Sequence, residues 1–246
     1  MHNIFTTIFY QPIFNLLIWL YNVIPGNDIG VAIVALTVII KVLLYPLSWK
    51  SIQSQRALTQ LQPKIEALKK EVGSDKERLT KEMMELYKRE KVNPFSSCLP
   101  LLLQLPFLFA VYQVFQRGLK SESLDLLYGF VQNPGTINPI SFGLVDLAKP
   151  VIVFAILAGA AQYFQAKQLM HKKPPKEVAD KPAAKDEGMA AMMNKQMLYF
   201  MPIFTVIIGL KLPGGLSLYW FVMTLLSLLQ QVIVLRKKKE TAVEVV

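Results

Sequence analysis

The chain has 246 residues, of which 53% are hydrophobic and 18% charged, and its mean hydropathy is +0.36. A soluble domain runs at about 45–50% apolar and about 25% charged, with the two classes interspersed; here they fall in separate blocks, which excludes a disordered chain and a disulfide scaffold and argues against a soluble enzyme. A net charge of +10 beside apolar blocks points to anionic headgroups or ribosomal RNA before DNA, with no nucleic-acid sequence readout, and the single cysteine, Cys98, permits no internal disulfide.

Residues 1–29 open the chain with an apolar stretch interrupted by Gln11, Pro12, Asn15 and Asn22. It lacks the basic n-region and small-residue cleavage site of a signal peptide. We read it as an aromatic-rich amphipathic helix in the outer membrane interface. A sixth span is the alternative and would only move the N-terminus inside. Five blocks long enough to cross a bilayer follow, at 30–48, 95–116, 150–168, 197–212 and 216–235. The last two are joined only by Pro213-Gly214-Gly215, which predicts a tight hairpin. Strands are not expected, because no alternating ten-residue segments recur.

Of the 27 Lys and Arg, the stretches 48–94, 166–196 and 236–246 hold 22, and the intervening stretches 1–29 and 117–149 with Lys211 hold four. This bias predicts an N-terminus outside and a C-terminus in the cytoplasm, as in a multi-pass protein of a bacterial plasma membrane.

Between the first two spans, the cytoplasmic segment 49–94 is charged but periodic. Leu58, Leu61, Ile65, Leu68 and Val72 step by three and four, Gly73 ends that helix, and Ser74 with Glu77 offers a capping box for a second. That helix carries Leu79, Met83 and Leu86. The expectation is an antiparallel helical hairpin, either a solvated connector or a docking arm. The loop 169–196 is rich in Lys, Pro and Ala and reads as flexible. The methionines that follow it, Met189 to Met201, read as packing residues. The tail 237–246, with Arg236 before it, reads as a headgroup anchor.

No nucleotide loop, zinc signature or nucleophile elbow is present, no metal or cofactor is expected, and the chain does not read as an enzyme. The residue that stands out is Lys41, near the middle of the first span, with Thr37 one turn before it. An intramembrane cation costs about 2.5–3.5 kcal/mol on insertion scales, so it normally faces protein or a wet cavity; snorkelling to the headgroups is the bland alternative. Gln104, Gln113, Gln162, Gln165, Gln230 and Gln231 are further polar groups in spans, each individually suited to a helix–helix hydrogen bond. No Asp or Glu lies in the five spans to neutralise Lys41.

Several motifs in order carry a resemblance: Thr37-Val-Ile-Ile-Lys41 followed by Tyr45-Pro46-Leu47, then Asn93-Pro94 to Cys98-Leu-Pro100, Gln104-Leu-Pro106, and Pro213-Gly-Gly-Leu-Ser-Leu-Tyr219-Trp220. From about residue 8 to residue 236 the chain resembles the YidC-type membrane protein insertases, the oxidase-assembly/Albino family. The resemblance implies an all-α membrane protein whose five helices form a hydrophilic groove open to the cytoplasm and to lipid. It implies that Lys41 takes the groove's basic position, commonly Arg, with Thr37 a substrate-facing position one turn earlier. Tyr219 and Trp220 would belong to the apolar slide by which a substrate helix leaves, and the hairpin would receive substrates. The expected type is a short form, with neither a lipoprotein signal nor a large extracytoplasmic domain.

The function expected is therefore an insertase and chaperone for short membrane proteins, working without ATP hydrolysis. Its expected partners are nascent membrane proteins and the bilayer, with the ribosome and the general secretion channel as further candidates. The competing reading is a small anion transporter or channel using Lys41. No internal repeat or paired broken helices support it.

Overall fold

A computed structural model of the chain describes residues 4–73, 75–93, 99–118, 126–169 and 196–243. Among these residues are eight α-helices and one two-stranded hairpin. The loop predicted flexible at 169–196, the Asn93–Pro100 motif and Ser74 lie wholly or mostly outside the described residues.

A π-helical turn, Thr6–Tyr10, runs into α1, Gln11–Val23. One face of this helix is fully packed, with Phe14, Leu17 and Ile18 at 2% exposure or less. The polar residues that interrupt the apolar stretch bind a loop. The Gln11 side chain donates to the Leu126 carbonyl, and Asn15 donates to that carbonyl while accepting the Tyr128 N–H. Asn22 donates to the Gln132 carbonyl, and the Tyr21 hydroxyl accepts the Asn138 N–H. Buried backbone polar groups need such partners. The N-terminal helix is thus a core element stitched to residues 126–138.

Helix α2, Ile29–Leu43, starts at Asp28, whose carboxylate accepts the N–H groups of Gly30 and Val31 at 2.8 and 3.0 Å. The helix ends before the apolar run of the predicted span 30–48 does. Pro46 has no N–H for the Val42 carbonyl, so the helix breaks at Leu44 and α3, Tyr45–Val72, leaves at 67° to it. Leu44–Ser48 therefore belongs to the arm.

Helix α3 ends at Gly73, with φ +67°, and turns into α4, Lys76–Arg89. The N-cap of α4 is Asp75: its carboxylate accepts the Arg78 N–H at 3.0 Å. Leu61, Ile65 and Leu86 form a small core with Leu68, Met83, Tyr87 and Val92 against it. Leu58 and Leu79, expected in the seam, are half-buried outside this cluster.

Helix α5, Leu99–Gln113, ends in a π-helical turn at Val114–Gly118. After it the loop folds back through strands β1, Ile140–Ser141, and β2, Val145–Asp146. This short antiparallel pair was not expected from the sequence. Helix α6, Ile152–Leu169, packs on α7, Met201–Gly209, which a π-helical turn at Gln196–Phe200 precedes. Helix α8, Gly214–Val243, then runs against α2 and α6. The Pro213-Gly214-Gly215 turn is close because nothing larger fits. The Gly214 and Gly215 amides donate to the Lys149 and Leu147 carbonyls, and a Cβ on Gly215 would lie 2.0 Å from the Phe115 ring.

Of the described helices, only α8 has a continuous stretch long and apolar enough to cross a membrane by itself, Gly214–Leu235. This helix and its neighbours expose apolar side chains at helical spacing: Val34, Val38 and Val42 on α2, Val153, Ile156 and Phe164 on α6, Ile203 and Ile207 on α7, Leu225, Leu229 and Ile233 on α8. A water-facing bundle reverses that pattern. Lipid suits it.

Candidate functional site

Lys41 lies three turns into α2, on the side that packs against α8. It is half-buried, and its Nζ donates to the Ser227 hydroxyl at 2.8 Å. Ser227 in turn donates to the Met223 carbonyl one turn back, at 2.8 Å. The ammonium thus rests on a neutral oxygen. Among the described residues no carboxylate lies in ion-pair range of it. An ammonium carries three donors, and the hydroxyl satisfies one.

Thr37, fully buried, sits four residues earlier, and its hydroxyl donates back to the Ile33 carbonyl at 2.6 Å. Two turns before Ser227, Tyr219 is also fully buried, and its hydroxyl accepts the Gln104 side-chain amide at 2.8 Å. Tyr219, Met223 and Ser227 repeat every four residues and so line one face of α8. That face meets α2 at Lys41 and α5 at Gln104. Farther along α8, Gln230 donates to the Tyr45 carbonyl at 3.1 Å, while its own buried carbonyl oxygen has no hydrogen-bond partner. Gln230 thereby ties the bend after Leu44 to α8.

Gln162, Gln165 and Gln231 bond where α6 meets α7 and α8. Gln162 accepts the Thr205 hydroxyl between α6 and α7, and Gln231 donates to the Gln165 carbonyl between α8 and α6. Ser217 donates to the Gly209 carbonyl at the start of the same face. Ser217, Thr224 and Gln231 are seven apart, so they share a side of α8 that holds α6 and α7 in place. Trp220 is partly exposed beside the closed Tyr219.

Of the residues singled out in the sequence, Lys41 bonds to α8 through Ser227, Gln104 meets Tyr219, and the Gln162 side chain and the Gln165 carbonyl bond to α7 and α8. Sequence reasoning missed Ser227, Thr205 and Ser217. Hydroxyls recurring along the last helix were the available signal, but small hydroxyls also back-bond to their own helix, as Thr224 does to Trp220, so the spacing alone does not mark a partner for Lys41.

Apart from these contacts, a shallow apolar hollow of about 320 Å³ lies between α1 and the loop, lined by Pro12, Asn15, Leu16, Trp19, Tyr128 and Phe130. No group of three or more His, Cys, Asp or Glu fit for a metal occurs among the described residues.

The family model for the 60Kd inner membrane protein matches residues 19–241, which takes in the bonds made by α8, the bend and the arm. The chain belongs to that family. Among its relatives, the membrane protein insertase YidC of Anaeromyxobacter sp. is 39% identical over 85% of this chain and 33% of its own length. The proteins of the same name from Mannheimia succiniciproducens and Tolumonas auensis are 32% and 34% identical over 89% and 92% of this chain. Each alignment takes in 36% of the relative. The chain spans about a third of the length of the curated relatives it matches. The family seen in the sequence motifs is thus the one to which the chain belongs, and its description places it in the inner membrane.

Proposed function

We propose that this chain is a membrane protein insertase and chaperone, crossing the membrane five times with its N-terminus outside and its C-terminus in the cytoplasm. The observation that carries the proposal is the state of Lys41: a cation set in an apolar helix and held by one serine hydroxyl instead of a carboxylate. Fold stability does not explain it, because an apolar residue would pack there at less cost. An incoming anionic segment does.

In this reading the arm of α3 and α4, with the basic loops, meets a short hydrophobic nascent protein on the cytoplasmic side. Its hydrophilic, acidic tail enters a groove beside Thr37 and Lys41, where Gln104 adds a polar wall. Carrying one carboxylate to mid-membrane costs about 2.5–3.5 kcal/mol on insertion scales. A carboxylate about 4 Å from an ammonium gains about 4 kcal/mol at an effective dielectric near 20. The two are of the same size, so Lys41 suffices to offset the entry of one charge without binding it tightly. The short helices help: α2 with 15 residues reaches only about 22 Å, below the roughly 30 Å of a hydrocarbon core.

The substrate helix then leaves into lipid past the exposed edge of Trp220, with Tyr219 as the fixed wall behind it. Apolar burial in lipid drives release at roughly 25 cal/mol per Å². A membrane potential, positive outside, adds about 2.3 kcal/mol per acidic charge per 100 mV. These terms leave no step that needs ATP. The ribosome and the secretion channel are candidate partners on the cytoplasmic and lateral faces.

The test is insertion of a short single-span protein into lipid vesicles that contain only this chain, read by protease protection of its translocated tail. Protection well above that in empty vesicles is expected. Protection equal to empty vesicles, together with flux of small anions, would overturn the proposal in favour of an anion pathway.

A further inference from the structure

The β1–β2 hairpin ends in a turn that projects two large apolar side chains away from the protein. Phe142 is 74% exposed and Leu144 86%. The turn is tight, with the Leu144 N–H donating to the Ser141 carbonyl at 3.1 Å. Phe142 and Gly143 both have positive φ, +51° and +68°. A turn of this kind favours Asn-Gly, and a bulky residue in the left-handed region is a genuine outlier. Phe142 is held there: its N–H donates to one Asp28 oxygen, and the Ser141 hydroxyl donates to the other. Since Asp28 also caps α2, the turn is clamped to the first residues of that helix. The fit is close enough that a Cβ on Gly30 would lie 2.1 Å from the Ser141 hydroxyl oxygen.

The surroundings state what the tip faces. Residues 126–148 contain one charged residue, Asp146, which pairs with Lys149 at 3.1 Å. Asp146 belongs to the strand pair farther from the tip, opposite Ile140, while Ser141 and Val145 form the pair next to it. Charge thus sits at the base and apolar surface at the point. In the same loop Phe130 is 80% exposed at the rim of the hollow beside Trp19. Directly below the clamp, the outward apolar face of α2 begins with Val34 and Val38.

We propose that the Phe142–Leu144 turn is a lipid anchor, set into the headgroup–acyl boundary of the outer leaflet beside the start of α2. The proposal rests on the membrane-embedded reading of α2. A loop facing water gains nothing from Phe in a left-handed turn. A loop at the boundary gains burial for both side chains, and Asp146 and Lys149 stay among the headgroups. The anchor fixes the depth of Asp28, and through α2 the depth of Lys41 three turns below.

The experiment places one cysteine at a time in the full chain, after Cys98→Ser, at Leu144, at Val38 and at Asn133, an exposed polar loop residue. Each is labelled with an environment-sensitive fluorophore in phosphatidylcholine/phosphatidylglycerol vesicles. Iodide and lipids with nitroxide-labelled chains are the quenchers. The Leu144→Cys label is expected to be quenched by nitroxide lipid at least three-fold more than the Asn133→Cys label, with iodide access reduced by a similar factor. Iodide access at Leu144 equal to that at Asn133 would overturn the anchor, and so would protection from both quenchers, which marks a protein contact. The Val38→Cys label separates the two readings: quenching by lipid there with none at Leu144 rejects the anchor alone, and its absence at Val38 rejects the embedding as well. Because a label can perturb the turn, a second measurement compares unlabelled Phe142→Asn with wild type, both carrying the reporter on α2 at Val38. A shift of that reporter's quenching depth supports the anchor, and an unchanged depth contradicts it.

Discussion

Asp28 accepts four hydrogen bonds, from the Gly30, Val31 and Phe142 N–H groups and the Ser141 hydroxyl. Burial alone would raise its carboxyl, but the Phe142, Val31 and Gly30 N–H groups and the Ser141 hydroxyl outweigh burial and hold its pKa below the ordinary value of 3.8. A carboxyl depressed on folding contributes stability that is full above its unfolded pKa and is lost as pH falls through the folded one. Hydrogen-exchange protection of the Gly30, Val31 and Phe142 amides is therefore expected to hold from pH 8 to about pH 4 and to decline below it. Asp28→Asn should flatten that acid limb; a decline already between pH 7 and 5 would assign it to other groups. At Gly215, where Phe115 ring carbons stand 2.0 and 2.2 Å from any Cβ, Gly215→Ala should cost about 1–3 kcal/mol by overpacking. Phe115→Leu in the same chain should recover part of the loss, read from thermal melts of the purified protein. Additive losses would show that the ring moves freely. Lys41 was legible because a charge inside an apolar run is conspicuous. Ser227 was not, because a hydroxyl in a membrane helix satisfies itself on its own backbone as readily as it accepts a neighbour's proton.

The arm formed by α3 and α4 holds together through a core of its own, Leu61, Ile65 and Leu86. Its salt bridges are exposed, as in Lys64–Glu90, where the lysine side chain is 56% accessible, and such pairs contribute at most about 1 kcal/mol. Leu86→Ala should therefore destabilise the arm by about 2–4 kcal/mol, whereas Lys64→Ala should change little. Hydrogen exchange should show lost protection in α3 and α4 with α2 and α8 unaffected. Equal loss throughout would mean that the arm and the bundle unfold as one unit. The period of three and four made the arm readable in sequence, since Leu61, Ile65 and Leu68 form one stripe. Helix ends were less so. Hydropathy ran through Leu44 to Ser48 and concealed the bend, which depends on the amide Pro46 lacks. The apolar stretch at 197–212 likewise is α-helical only from Met201 to Gly209, after a π-helical turn. The β1–β2 hairpin left no trace because two-residue strands are shorter than any alternating pattern.

At the scale of the whole bundle, α8 is the shared partner of α2, α3, α5, α6 and α7. Ser217 and Gln231 bond α8 to α7 and α6, and Gln162 with Thr205 closes the pair behind them. Tyr219 and Ser227 carry the same helix towards α5 and α2. One helix therefore bonds Lys41 and also ties to α6 and α7. Hydropathy and charge bias carried the helical class, but which helix each glutamine bonds to emerges only when helices pack. The central claim is that the charge on Lys41, and not its shape, draws an acidic tail into the membrane. The most direct measurement is vesicle insertion of two substrates, one with an acidic tail and one with the same tail made neutral, by wild type, Lys41→Arg and Lys41→Ala. The account predicts that Lys41→Arg inserts the acidic substrate at close to the wild-type rate and that Lys41→Ala slows it at least ten-fold, equivalent to about 1.4 kcal/mol, while the neutral substrate is nearly unaffected. Equal rates for the acidic substrate with all three proteins would contradict it.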